Sequence, residues 1–356
     1  MSPAPVQPRG DLALMAGYHS PQLDVPVRLN TNESPVGPPE PWVDELTGAL
    51  GDVAWNRYPD REAVALRAAL AEHHATTPDR VFCANGSNEV LQSVLLAYGG
   101  AGRSAATFEP TYAVHSHLAR ITGTEVLHGQ RDDDFALDLD EVDRVLGEGP
   151  SVVFLCSPDN PTGAVTGPDV TLAVLDRCVS AGALLVVDEA YGQFAPSTAL
   201  DLVADDRPLL VTRTFSKTWA MAAGRLGYGV GPSWIVDELT KVVLPYHLDA
   251  VTQLAGRLAL GHADAMAARV EQIVAERERL VAGLDRLGVH QWPTGANFIL
   301  FRPEAAAGDA VWQGLVDHGV LVRNCASWPR LDDCLRVSVG TPEENDRFLS
   351  ALEETL

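Results

Sequence analysis

From Pro59 onward the chain alternates short apolar, often β-branched runs with stretches whose apolar residues recur at helical spacing. Asp60 caps a predicted helix running through His74, Val81–Ala84 reads as a strand, and Ser87 caps a helix carrying Val90, Leu91, Val94, Leu95 and Tyr98. The strand-then-helix unit repeats. Ala105–Phe108, Val152–Cys156, Leu184–Asp188 and Leu209–Thr212 are further apolar strands, with helices around 113–121, 138–146 and 169–180 between them. This alternation predicts an α/β fold whose mainly parallel central sheet is buried on both faces. Ligand chemistry is then expected where such strands end.

After about Ala250 the texture changes to long helical stretches through Leu287, strands near Asn297–Phe301 and Leu335–Val339, and a final helix from Pro342. A smaller α+β domain fits that pattern. The segment before Val43 is rich in Pro and Gly and lacks a long periodic run. The expected organisation is an arm over 1–42 that forms part of the small domain, a large domain over 43–248 and a small C-terminal domain over 249–356.

The 356 residues are 46% hydrophobic and 21% charged, which fits about two globular domains with cores of their own. Charge narrows the function classes. Lys plus Arg number 26 against 48 Asp plus Glu, a formal net charge of −22, and a surface this acidic repels nucleic-acid backbones and anionic lipid. No nucleic-acid or membrane partner is expected. An anionic small ligand must then be held by local cationic or backbone groups. The five cysteines, Cys83, Cys156, Cys178, Cys325 and Cys334, form no C-x-x-C pair and suit a reduced, cytoplasmic protein. Met1–Gly10 has three prolines and no apolar core of a leader, and no window approaches the ~18 apolar residues of a membrane span. The ten histidines show no metal spacing. His73, His74, His115 and His117 read as helix-surface residues.

Lysine occurs only at Lys217 and Lys241. Lys241 lies in a charged helical stretch and reads as a solvated face. Lys217 follows the strand 209–212 and precedes Gly224-Arg225-Leu226-Gly227, so it sits at a strand exit near another cation. A desolvated amine there disfavours its charged form and can act as nucleophile or base near neutral pH. Three other strand exits carry polar groups. Leu184–Val187 runs into Asp188, with Tyr191 three residues on; Val152–Cys156 runs into Ser157-Pro158-Asp159-Asn160-Pro161-Thr162-Gly163, whose prolines shape a turn that presents Asn160; and Val81–Ala84 runs into Asn85-Gly86-Ser87-Asn88 at a helix start suited to phosphate.

In this order on successive strands, these motifs resemble those of the fold-type I aminotransferases that use pyridoxal 5′-phosphate, and within them the histidinol-phosphate aminotransferase family. The resemblance extends from Leu29-Asn30-Thr31-Asn32-Glu33-Ser34-Pro35 through Arg57-Tyr58-Pro59-Asp60 and Leu244-Pro245-Tyr246-His247 to Leu335-Arg336-Val337-Ser338-Val339-Gly340-Thr341. It implies that Lys217 carries the cofactor aldehyde and moves protons, and that Asp188 pairs with the pyridine nitrogen. It further implies that Tyr191 and Asn160 bond the ring's phenolic oxygen and that Tyr112 stacks on the ring. Ser87, Asn88, Ser216 and Arg225 would bind the phosphate, joined by Tyr58 from a neighbouring subunit, so a homodimer with shared active sites is expected. Arg336, Arg323, Tyr18, Asn32, Tyr112 and Tyr246 are the implied substrate contacts. The implied reaction exchanges an amino group between L-histidinol phosphate and 2-oxoglutarate, with L-glutamate as product, in histidine biosynthesis.

The chain departs from the pattern at Asp159, where another Asn is usual, and at 324–331, where a Gly-containing loop is expected. An aromatic amino-acid aminotransferase and a threonine-phosphate decarboxylase share the cofactor motifs and differ only in the substrate pocket. A nicotinamide dehydrogenase is disfavoured because no G-x-G-x-x-G follows an early strand. The fold also serves as an effector module in transcription regulators, which need a basic DNA-binding domain that this sequence does not show.

Overall fold

β-branched and apolar runs too short for helices form twelve strands in the computed structural model, which describes residues 22–356 together with residues 6, 9, 10, 12 and 17. In chain order these are β1 (Val27–Leu29), β2 (Val81–Ala84), β3 (Ser104–Glu109), β4 (Glu125–Gln130), β5 (Val152–Cys156), β6 (Leu184–Asp188), β7 (Leu209–Thr214), β8 (Gly227–Val230), β9 (His290–Gln291), β10 (Phe298–Arg302), β11 (Val320–Asn324) and β12 (Leu335–Ser338). Seven of them form one sheet in the order β2-β8-β7-β6-β5-β3-β4, parallel except that β8 runs against both its neighbours. The α/β class with a mainly parallel sheet is as the alternation predicted.

Both faces of this sheet are dry. Val152, Phe154, Leu184, Val186 and Leu210 face one hydrophobic cluster, while the intervening Val153, Leu155, Leu185, Val187, Leu209 and Val211 face another. A strand with no solvated face reads as a continuous apolar run, which is why β5, β6 and β7 are conspicuous in the sequence. The helices Ser87–Tyr98 and Pro168–Ala181 cover the two faces, contributing Val90, Leu91, Val94 and Leu95 to one and Val174, Leu175 and Cys178 to the other.

The second sheet has five strands in the order β1-β11-β12-β10-β9. β1 pairs in parallel with β11, so a strand from near the N-terminus is built into a sheet otherwise made from the last third of the chain. The helices Ala263–Arg286 and Pro342–Thr355 pack on it through Ile273, Leu280, Leu284, Phe348 and Leu352. The final helix is stabilised by a capping box between Thr341 and Glu344. Among the described residues no helix is long and apolar enough to cross a membrane.

Several predicted edges move. The helix expected from Asp60 begins at Val64 and ends at His73, although Asp60 still accepts the Val64 N–H at 2.7 Å and so caps it from a distance. Ser87 is the first residue of its helix rather than its cap; the cap is Gly86 at φ +77°, a conformation open to glycine. All five cysteines are free and buried.

Leu91 is fully buried between its helix and the sheet. Leu91→Ala is expected to lower the unfolding free energy by about 2–5 kcal/mol, the cost of lost apolar transfer plus a residual cavity. Equilibrium urea unfolding checks this as a lower midpoint at unchanged slope.

Candidate active site

Register fixes the centre of the site. Cys156, Asp188 and Thr212 are neighbours across β5, β6 and β7, so the last residue of β6 lies between the last residue of β5 and a residue near the end of β7. Asp188 is 1% exposed and its carboxylate accepts three hydrogen bonds. Oδ1 accepts from the Thr212 hydroxyl at 3.2 Å and the Ala190 N–H at 3.1 Å, and Oδ2 lies 3.0 Å from Nε2 of His115. A carboxylate can only accept, so His115 donates to it. His115 is therefore not the helix-surface residue predicted. It is buried on the helix Val114–Ile121, stacked on Phe154 with ring centroids 4.8 Å apart. The helical pattern hid it, because the signal is the buried carboxylate it serves, which only the fold brings near.

Lys217 follows β7 and is held by aromatic anchors on either side. Phe215 and Trp219 are buried and stack at 5.2 Å, and the Phe215 N–H bonds Leu226 O at 2.9 Å. Its Nζ donates to Thr31 O at 3.0 Å and lies 5.6 Å from the Tyr191 ring centroid. Burial, with the positive fields of Arg336 and Arg225 only partly offset by Glu33, lowers the amine to about 7. Tyr191 is buried, and burial pushes its phenol up despite the nearby Arg336. Its hydroxyl receives the Asn32 amide at 3.0 Å and the Asn160 amide at 3.4 Å.

Arg336 on β12 faces Arg323 on β11 across the strand pair. Two like charges directly opposite are unfavourable, a cost expected where an anion is to be held. Arg336 donates to the Asn160 carbonyl and, at 3.0 Å, to Asn30 O, and it lies 5.0 Å from the Phe298 ring. The departure at Asp159 is compensated. Asp159 is buried, burial raises its pKa, and Arg131 at 3.4 Å, with the Thr111 and Thr162 hydroxyls at 2.6 and 2.7 Å, offsets that cost. Thus the residue beside Asn160 is locked from below.

An anion cradle lies at the start of the helix Ser87–Tyr98, where the cap, Gly86, has no side chain to satisfy the first N–H groups. The Ser216 hydroxyl accepts from Arg225 at 3.2 Å and from Thr214 at 2.9 Å. A Cβ on Gly227 would stand 2.2 Å from the Ser87 nitrogen, so only glycine lets β8 pass so close. Tyr112 donates its hydroxyl to Asn88 at 3.3 Å.

One cavity of ≈ 410 Å³ is lined by Lys217, Asp188, Tyr191, Ser87, Asn88, Tyr112, Asn160, Ser216, Arg225, Asn32, Arg323 and Arg336. Two predicted residues do not line it. Tyr58 is 79% exposed and Tyr246 is also exposed, and their rings stack on one another at 4.5 Å. Tyr18 lies outside the described residues. Trp328, from the departing loop, lines the cavity without having been singled out in the sequence. An amine near neutrality, a buried carboxylate, an aromatic ring and a phosphate cradle in one cavity fit pyridoxal 5′-phosphate, an aldehyde on a basic heterocycle with an anionic tail.

The lysine gives the cofactor-free protein a specific pH dependence. Unfolded, Lys217 keeps its proton to 10.5; folded, only to about 7. Between those values the unfolded state binds more protons, so stability rises with pH, and below 7 the burial penalty is felt in full. Lys217→Met removes the penalty. The cofactor-free variant is expected to exceed wild type in stability at pH 6, with the gap closing as pH rises towards 10.5, measured by urea midpoints across that range.

Comparison with known proteins gives the same picture. The family profile of aminotransferase class I and II matches residues 25–352. A histidinol-phosphate aminotransferase of Frankia casuarinae is 46% identical over 98% of this chain and 90% of its own, and one of Paenarthrobacter aurescens is 43% identical over 98% and 94%. The crystal structure of histidinol-phosphate aminotransferase from Sinorhizobium meliloti, in complex with pyridoxal 5′-phosphate, superposes with a TM-score of 0.85 at 26% identity, covering 93% of this chain and 91% of that one. This chain belongs to the class I and II aminotransferase family, on the fold-type I architecture that its two sheets display.

Proposed function

We propose that this protein is a pyridoxal 5′-phosphate-dependent aminotransferase that exchanges an amino group between L-histidinol phosphate and 2-oxoglutarate in histidine biosynthesis. The observation that carries the reading is the Lys217 amine, lowered to about 7, in one cavity with Asp188, Arg323 and Arg336. The relatives' names supply the substrate, and the paired arginines suit it. Histidinol phosphate has a phosphate ester where an amino acid has a carboxylate, and planar guanidinium groups bind either anion in bidentate fashion.

The bound cofactor supplies an electron sink for the pair released when the substrate's Cα–H bond breaks. The protein does the rest. Lys217, whose charged form is disfavoured by burial, would hold the cofactor through its aldehyde, and with its own amine free would take the substrate's Cα proton. Asp188, oriented by His115 and Thr212, would favour a proton on the heterocycle nitrogen. Tyr191 and Asn160 would hold the phenolic oxygen. Ser87, Asn88, Ser216 and Arg225 would bind the phosphate, and Tyr112 would cover one face of the ring. Arg336 would take the carboxylate of the amino acceptor, with Arg323 and Asn32 around the substrate's anionic end.

The functional unit is a homodimer. Trp55, Tyr58, Leu244 and Tyr246 are large, exposed and apolar, and a second copy of the chain would cover them and bring Tyr58 to the partner's phosphate cradle. The domains divide as an arm over 1–42, a cofactor domain over 43–248 and a small domain over 249–356. Five free buried thiols favour a reducing compartment, and we assign the enzyme to the cytoplasm.

The half-reaction is the direct test. Mixing the holoenzyme with L-histidinol phosphate is expected to convert the cofactor absorbance to that of the amine form, far more efficiently than L-phenylalanine does and without carbon dioxide release from threonine phosphate. Lys217→Ala should lower turnover by roughly 10²–10⁴-fold, the span of a lost general acid–base. No conversion with histidinol phosphate would refute the substrate. For the shared site, mixing Lys217→Ala and Tyr58→Ala chains is expected to give more activity than the two separately, because one hybrid site keeps both residues. Activity equal to the sum would place Tyr58 outside the partner's site.

A further inference from the structure

The loop over 324–331, where the resemblance to the family breaks, holds an indole between two cavities. The active-site cavity shares Ala113, Arg323 and Trp328 with a second cavity of ≈ 560 Å³ that opens over the helix Val114–Ile121. Of the three shared residues, Trp328 alone is large and apolar. Several polar side chains reach the second cavity: Arg120, His128 and Gln130 line it, with Glu109 and with Ser116, whose hydroxyl is buried and has no partner among the described residues.

Trp328 is held rigidly for a loop residue. Its backbone closes turns to Cys325 and Leu331, and its indole N–H donates to Thr111 O at 3.1 Å. That acceptor is itself fixed, since the Thr111 N–H donates to Glu109 at 3.1 Å and its hydroxyl to the buried Asp159 at 2.6 Å. Two residues on, Arg330 donates to Arg131 O, to Asp132 O at 3.0 Å and to the Asp133 carboxylate at 2.7 Å. The loop is therefore strapped from the small sheet across to the segments that follow β3 and β4. On its other side the indole carries Arg323, whose guanidinium carbon stands 5.1 Å from the ring centroid.

We infer that Trp328 is a specificity-determining residue that sets the size limit of the amino donor, walling the active-site cavity off from the second cavity while holding Arg323 in place. The inference rests on the aminotransferase reading of the site. Donors whose tails end within the ≈ 410 Å³ cavity are accepted, and a longer tail meets the indole. With the indole gone, a long anionic tail gains room and the polar lining beyond, Arg120, His128 and Ser116.

The test compares donors on the holoenzyme: L-glutamate, L-phenylalanine, L-histidinol phosphate and L-phosphotyrosine, the last being long and anionic. In Trp328→Ala the ratio of kcat/KM for phosphotyrosine to that for glutamate is expected to rise about tenfold or more, the scale on which a pocket discriminates by size. The histidinol phosphate KM should rise as Arg323 loses its platform, while the cofactor spectrum stays near wild type. Trp328→Phe, which keeps an aromatic wall while losing the N–H and the second ring, should preserve the order of donors. Trp328→Leu, too small to close the wall, should follow Trp328→Ala. An unchanged phosphotyrosine-to-glutamate ratio overturns the inference, even where all activities fall together. So does failure of both small variants to fold or to take up cofactor, since that makes the role structural. A wild-type enzyme inert towards histidinol phosphate would refute the proposed substrate and leave this comparison standing.

Discussion

An ammonium stripped of water sets the terms for this site. Lys217 loses hydration just beyond the end of β7, and among the described residues its proton is compensated by Thr31 O and the field of Glu33, against two arginines. Its charged form is the expensive one, so the amine is available as a nucleophile at neutral pH. A few ångströms of backbone decide this. Phe215 and Trp219, stacked in the core on either side, prevent the segment from swinging the side chain into solvent, where it would regain its proton. The carboxylate of Asp188 is the complementary case. It is more deeply buried than the lysine, yet it has three donors, from Thr212, Ala190 and His115. Three hydrogen bonds from different directions fix the orientation of this buried carboxylate. One cavity thus combines an amine whose charged form is disfavoured with a carboxylate held in place, by supplying few acceptors to one and donors to the other.

The parallel sheet makes this arrangement economical. In parallel strands all carboxyl ends lie on one edge, so residues far apart in sequence, Asn160 after β5, Asp188 ending β6 and Lys217 after β7, meet without long loops. The second sheet then brings Arg336 and Arg323 on adjacent strands, and Arg336 bonds Asn160 across the gap between the sheets. A substrate anion held by Arg336 is therefore held relative to the same amide that steadies Tyr191.

Legibility in the sequence followed burial. β5 and β6 were located to the residue because strands buried on both faces carry uninterrupted apolar runs. β4, with only Gly129 buried, and β8, read as a Gly-rich stretch, gave no such run. β1 is three residues long and owes its existence to pairing with β11, some 290 residues away, which no local pattern encodes. The site was legible where function demands polar residues at strand ends. It was illegible where a residue acts on another residue. His115 serves Asp188, Arg131 serves Asp159 and Trp328 serves Arg323, and each lies in a segment whose local pattern has an ordinary explanation.

The electrostatics also reconcile an acidic chain with anionic ligands. Net charge is −22, but the cavity is lined by Lys217, Arg225, Arg323 and Arg336 against Glu33 and Asp188. Surface carboxylates beyond a Debye length of about 8 Å are screened at physiological salt, whereas charges across a low-dielectric cavity are not. An anion near the mouth therefore responds to the local arginines and not to the global excess. The neutral lysine sharpens the effect: were Lys217 charged, the cavity would gain attraction for anions but lose its nucleophile. Three guanidinium groups, which cannot give up their protons, carry the attraction, and the one amine that can is left free for chemistry.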